Sequence, residues 1–89
     1  MAIVQAKILD AILHCGGIAT TQEIKKLTGL GRTNIWMACT HLVSRYMITK
    51  DIKIKKDYGL PPKKIIRYKL RDNQIHRIKR EIAQLENVR

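Results

Sequence analysis

The spacing of apolar residues changes twice along these 89 residues, and that alternation restricts the fold more than any single motif does. From Val4 to Leu42 apolar side chains return every three or four residues, the period of an α-helix. Between Ile48 and Arg71 they return every second residue, the period of a strand, and from Ile75 to Leu85 the steps are again three, four and three. The order this predicts is helix, helix, helix, hairpin, helix: a mainly α chain carrying a two-stranded β-hairpin.

The boundaries have physical causes. Residues 2–14 read as a helix with Val4, Ile8, Ala11, Ile12 and Cys15 on one face and Ala2, Ala6, Leu9 and Leu13 on the adjacent arc. That arc is wider than the ~100° stripe a surface helix needs, so the helix should be covered from two sides. Gly16-Gly17 ends it, as glycine just past a helix does. Thr20 and Glu23 have the spacing of a capping box, which starts a short helix with Ile24 and Leu27 inward and stops at Gly29. A third helix opens near Gly31 and runs to about Arg45, with Ile35, Ala38, Cys39 and Leu42 inward. In the hairpin, Ile52 and Ile54, then Ile66, Tyr68 and Leu70, form the face expected to pack inward. Its long tip, residues 57–62, is rich in turn formers and holds both prolines of the chain. Asp72 or Asn73 is placed to cap the last helix.

Two helices joined by a short glycine-containing turn make a helix-turn-helix, whose second helix can enter a DNA major groove. The run Ile24-Lys25-Lys26-Leu27-Thr28-Gly29-Leu30-Gly31-Arg32-Thr33-Asn34-Ile35, continued to Leu42 and Met47-Ile48, resembles the winged helix-turn-helix proteins of the MarR and PadR type. The resemblance covers roughly residues 8–70. It implies a winged helix-turn-helix over residues 1–71, followed by a C-terminal helix over 72–89. Two positions depart from the family pattern: Gly31 stands where a serine cap is common, and Tyr46 where glycine often ends the recognition helix.

The helical wheel sets Thr33, Met37, Thr40 and Ser44 opposite the buried stripe, flanked by Arg32, Asn34, Trp36 and His41. Arg32 suits a guanine or a phosphate, Asn34 suits adenine, and the Met37, Thr33 and Thr40 methyls suit thymine. Trp36 has two readings, an edge of the core or a DNA contact. His41 reads as solvated or phosphate-facing. So few strong hydrogen-bonding groups leave part of any specificity to DNA shape.

Charge strengthens this expectation. Eighteen Lys and Arg oppose seven Asp and Glu, a net +11, which predicts a polyanionic partner. Residues 50–71 carry nine of those cations against two carboxylates, so +7 of the +11 lies on the hairpin. Lys53, Lys55, Lys56, Lys63, Lys64 and Arg67 are the wing cations expected to follow a phosphate backbone or minor groove. In the last helix, Ile75, Ile78, Ile82 and Leu85 have coiled-coil spacing, which suits pairing with the same helix of a second subunit or folding back on the first helix. The wide arc of the first helix suggests both, with Leu9 and Leu13 joining these residues in the expected seam of a homodimer. A homodimer would read an inverted repeat of double-stranded DNA.

Other chemistries find little support. Neither His14-Cys15 nor Cys39-x-His41 has the spacing of a zinc site, and the carboxylates are scattered, so no metal, cofactor, small-molecule substrate or catalytic group is expected. No apolar stretch approaches the ~18 residues that span a bilayer. The N-terminal residues lack the pattern of a signal peptide, so the expected location is the cytoplasm, at the nucleoid when bound to DNA, with Cys15 and Cys39 as free thiols. The leading expectation is a sequence-specific DNA-binding regulator. Charge-driven architectural or replication DNA binding, RNA binding, and protein interaction through the same surfaces remain alternatives.

Overall fold

The computed structural model describes residues 3–56 and 58–87, the side chains of residues 85–87 excepted. The order is α1 (Ile3–His14), β1 (Ile18–Thr20), α2 (Thr21–Thr28), α3 (Arg32–Ser44), β2 (Ile48–Lys55), β3 (Lys63–Leu70), a 3-10 turn (Asp72–Gln74) and α4 (Ile75–Asn87). These elements form a winged helix-turn-helix with an added C-terminal helix. Among the described residues no helix is long and apolar enough to cross a membrane.

The sheet has three strands, in the order β1-β3-β2, where the sequence predicts only the hairpin. β1 pairs antiparallel with β3 through Ile18↔Lys69, Ala19↔Tyr68 and Thr20↔Arg67. Three residues squeezed between Gly17 and a helix cap are too few to display a period of two, so only the tertiary pairing reveals the strand.

Helix ends follow their local chemistry. Thr20 and Glu23 close a capping box, the Glu23 amide donating to Thr20 Oγ1 at 3.2 Å and the Thr20 amide donating to Glu23 Oε1 at 3.1 Å. Those hydrogen bonds hold the Glu23 carboxyl below the usual carboxylate range. Gly29 ends α2 in the left-handed conformation. Leu27, expected inward, is instead exposed. The buried line of α2 runs from Ile24 to the half-buried Thr28, whose hydroxyl donates to the Ile24 carbonyl at 2.7 Å and accepts from the Leu30 amide. Leu30, half-buried against the core, supplies the apolar contact that Leu27 does not. At the other end of the chain neither Asp72 nor Asn73 caps α4. The 3-10 turn intervenes, and Arg71 stands at its N-cap without a side-chain cap.

α3 ends in a Schellman arrangement: the Met47 amide donates to the Leu42 carbonyl and the Tyr46 amide to the Val43 carbonyl. Tyr46 therefore sits at φ 60°, the conformation that favours glycine. An L-residue there costs roughly 1–2 kcal/mol, and the Arg71 guanidinium over the Tyr46 ring offsets only part of it, about 0.5–1 kcal/mol at an exposed site. The ring centroid lies 5.6 Å from that guanidinium. Tyr46→Gly should unfold within about 1 kcal/mol of the parent, because relief of strain balances the lost contact and the freer unfolded chain. Tyr46→Val keeps the strain, loses the contact, and should be less stable than the glycine variant by about 2 kcal/mol in urea denaturation. Equal stability of the two variants would contradict a strained helix exit.

The core gathers Ile8, Leu9 and Ile12 of α1, Ile24, Ile35, Leu42, Met47, Ile48, Tyr68 and Leu70. α4 folds back on α1 and adds Ile78 and Ile82 to the same cluster. The wide apolar arc of α1 is explained by this: α2 and α3 cover one side and α4 the other. Arg45 at the end of α3 fastens the junction, donating to Gln5 Oε1 at 3.1 Å and pairing with Glu81 at 3.2 Å. The two-fold seam expected from Leu9, Ile78 and Ile82 is corrected here. All three are buried within one chain, since the matching apolar faces meet intramolecularly. Leu13 and Ile75 are half-buried. Ala2 and the Leu85 side chain lie outside the described residues.

Candidate nucleic-acid interface

α3 buries Ile35, Ala38, Cys39 and Leu42 and turns the opposite face outward. Arg32, Thr33, Asn34, Trp36, Met37, Thr40, His41 and Ser44 are all exposed. Trp36 is 54% exposed and Met37 50%, so the tryptophan lies on the free face of the helix and outside the core. Not every polar group there is available as a donor. The Thr40 hydroxyl donates to the Trp36 carbonyl at 2.7 Å and the Ser44 hydroxyl to the His41 carbonyl at 2.8 Å. Their methyl and methylene groups and their oxygen lone pairs are what remain to face a ligand. Gly31 caps the helix through its backbone alone, which leaves the first amides of α3 without a side-chain acceptor.

The layer behind α3 is uncharged. Burial pushes the Cys39 thiol up to about 12, against the opposing pull of the Lys50 cation. Burial, and then the neighbouring Cys39, push the Tyr68 hydroxyl up to about 12. Neither ionises near neutral pH. Cationic side chains around α3 therefore meet no buried anion from these two groups.

The register of β2 with β3 sorts the wing into two faces. One carries Thr49, Asp51, Lys53 and Lys55 beside Lys63, Ile65, Arg67 and Lys69. The other carries Ile48, Lys50, Ile52 and Ile54 beside Lys64, Ile66, Tyr68 and Leu70. Asp51 and Arg67 stand directly opposite and form an ion pair, so the charge of Arg67 is largely compensated. The Arg67 hydrogen bond also holds the Asp51 carboxyl below its ordinary range. Lys53, Lys55, Lys56, Lys63 and Lys64 are exposed on the outer half of the arm.

One expectation about this arm fails. The apolar strand face packs inward only at its base, where Ile48, Tyr68 and Leu70 are buried. Farther out, Ile52 is 44% exposed and Ile54 64%. Strands of eight residues extend roughly 27 Å, and their burial is confined to the end nearest the core. The molecule measures 50 × 27 × 21 Å. Beyond the core the ribbon has a cationic face, an apolar strip, and a tip at Tyr58, Gly59 and Leu60. Sequence periodicity shows the alternation but not how far the covering layer reaches, so it misses the exposed strip.

No protein-family model and no curated protein matches the chain. Solved structures do. The organohalide-sensing transcriptional regulator RdhR, in its 2,4-dichlorophenol-bound form, aligns with a TM-score of 0.76 over 98% of this chain and 47% of its own, at 15% identity. BpsR of Bordetella bronchiseptica, whose DNA binding is regulated by 6-hydroxynicotinic acid, gives 0.70 over 99% of this chain and 64% of its own, at 13% identity. Stf76 from the Sulfolobus islandicus plasmid-virus pSSVx gives 0.55 over 85% and 92%, at 23% identity. This chain thus spans about half of the first and less than two thirds of the second. At such identities the likeness is one of fold. It is the winged helix-turn-helix.

Proposed function

We infer that this chain is a transcriptional regulator that binds double-stranded DNA, with α3 in the major groove and the hairpin along the adjacent backbone. One observation carries the reading: a net +7 concentrated on an arm that adjoins a recognition helix whose outer face is free of the core. The fold neighbours support it, RdhR being a transcriptional regulator and BpsR a protein with regulated DNA binding. The glycine-punctuated helix-turn-helix favours the MarR and PadR type among winged helices. Arg32 and Asn34 are the groups best suited to base edges, Met37 and the threonine methyls to thymine. Lys53, Lys55, Lys56, Lys63 and Lys64 hold phosphates, Arg67 contributes less because Asp51 pairs with it, and the site of action is the nucleoid.

A homodimer on an inverted repeat belongs to the same reading. With Leu9, Ile78 and Ile82 consumed by the core, its contact rests on Leu13, Ile75, the exposed Ile3 and the sequence position of Leu85. The division into residues 1–71 and 72–89 is kept in that sense, the first part reading DNA and the second completing the body. Two of the fold neighbours respond to small molecules, which weighs against the expectation that none takes part here.

Selection of bound duplexes from a random pool at about 150 mM salt, where non-specific charge contacts are weakened, tests this reading. An enriched inverted repeat is the expected result. A single enriched half-site would keep the regulator and remove the dimer. Binding without enrichment would replace sequence reading by charge-driven architectural or replication binding, and no binding would defeat the DNA reading.

A further inference from the structure

The tip of the arm sets two large exposed apolar side chains, Tyr58 and Leu60, among its turn formers. Between Lys55 and Lys63 the chain leaves the sheet, turns at Gly59 with φ 80°, and returns through Pro61 and Pro62. Tyr58 is fully exposed and Leu60 is 62% exposed, and both prolines are exposed. None of these side chains belongs to the core. Single exposed apolar residues are common on proteins, but here they crown a projecting arm flanked by Lys53, Lys55, Lys56, Lys63 and Lys64. No arginine stands at the tip to read a groove by hydrogen bonding.

Resting on the DNA-binding reading above, we propose that Leu60 with Pro61 is a wedge that enters the minor groove, unstacks one base step and bends the duplex. Small, stiff apolar groups serve this purpose because they replace base stacking with contact of similar character and lose little freedom on insertion. Proline adds a specific advantage. It has no backbone N–H, so two successive prolines enter a groove without stranding a donor away from water. Lysines on both strands of the ribbon then meet the phosphates on either side, and the bend brings more of those phosphates within reach. The exposed strip of Ile52 and Ile54 lies behind the wedge on one face of the arm, where a bent groove wall would cover it.

The test uses a duplex of about three helical turns carrying a dye at each end and 2-aminopurine at its centre, titrated with the full chain and with Leu60→Ser/Pro61→Ser. Both positions are exposed, so the variant should keep the fold, and Leu60→Met serves as a conservative control. The parent should shorten the end-to-end distance and raise the 2-aminopurine fluorescence, and Leu60→Met should do the same. The double variant should still bind, within about tenfold of the parent because the phosphate contacts persist, yet leave the duplex straight and stacked. Equal bending and unstacking by the double variant would overturn the wedge, as would a parent that binds DNA and leaves it straight. Absence of binding in the same titration would overturn the regulator reading itself. Attachment to anionic vesicles that Leu60→Ser abolishes, without duplex binding, would reassign the tip to a lipid surface and overturn the proposal.

Discussion

Replacing Lys55, Lys56, Lys63 and Lys64 with alanine should weaken binding to duplex DNA of any sequence by about 10²–10³-fold at physiological salt. The size follows from counterion release. Each phosphate neutralised adds about 0.9 to the slope of log affinity against log salt, which near 0.15 M amounts to roughly 0.7 log units per contact. Four full contacts would then supply about 10³-fold, and lysines that reach their phosphates part of the time supply less. The salt slope should fall by up to about 3.6, with the preference among sequences nearly unchanged, because these side chains position the protein without reading bases. All four lysines are exposed, so stability should shift by no more than about 0.5 kcal/mol per substitution, and the loss can be read as binding once the variant is shown to be folded. An unchanged slope would remove the arm from the interface.

The second large effect concerns α4. Ile78→Asp should leave most of the chain unfolded at room temperature. Ile78 is fully buried, and a chain of this length has a total stability of only about 4–13 kcal/mol to lose. A carboxylate there must be either desolvated or protonated, and no cation of α1 or α4 is buried beside it to compensate. Ile78→Ala is the graded version, expected to cost about 2–5 kcal/mol for the lost methyl groups and the cavity they leave. Both losses should appear when unfolding is followed by circular dichroism. A folded monomeric Ile78→Asp would show that Ile78 faces a second chain instead.

How much of this was legible in the chain depends on whether a residue's environment is local. The capping box at Thr20 and Glu23, the glycine stop at Gly29, and the buried line of α3 follow from neighbours within a turn or two of helix. They appear where the sequence places them. Tyr46 is similar: the resemblance marks the position as one often held by glycine, and the positive φ is found there. Each candidate residue of α3 is exposed as the wheel expects, for the same reason. Leu27 escapes a local reading because α2 is only eight residues long, and one position of rotation decides which of two neighbours meets the core.

Sequence by itself determined the order of the four helices and the hairpin, the outer face of α3, and the concentration of cations on the hairpin. These depend on period, caps and charge, which are written in consecutive residues. Tertiary structure alone decided three other matters. It paired Ile18–Thr20 with β3, it turned Ile78 and Ile82 onto α1 within one chain, and it left Ile52, Ile54 and the tip beyond the reach of the helices. An apolar face signals that it must be covered without naming what covers it. The coverer is set by the length of each element and the path of the chain between them, so the same stripe that reads as a dimer seam becomes core, and the same alternation that reads as core becomes an exposed arm.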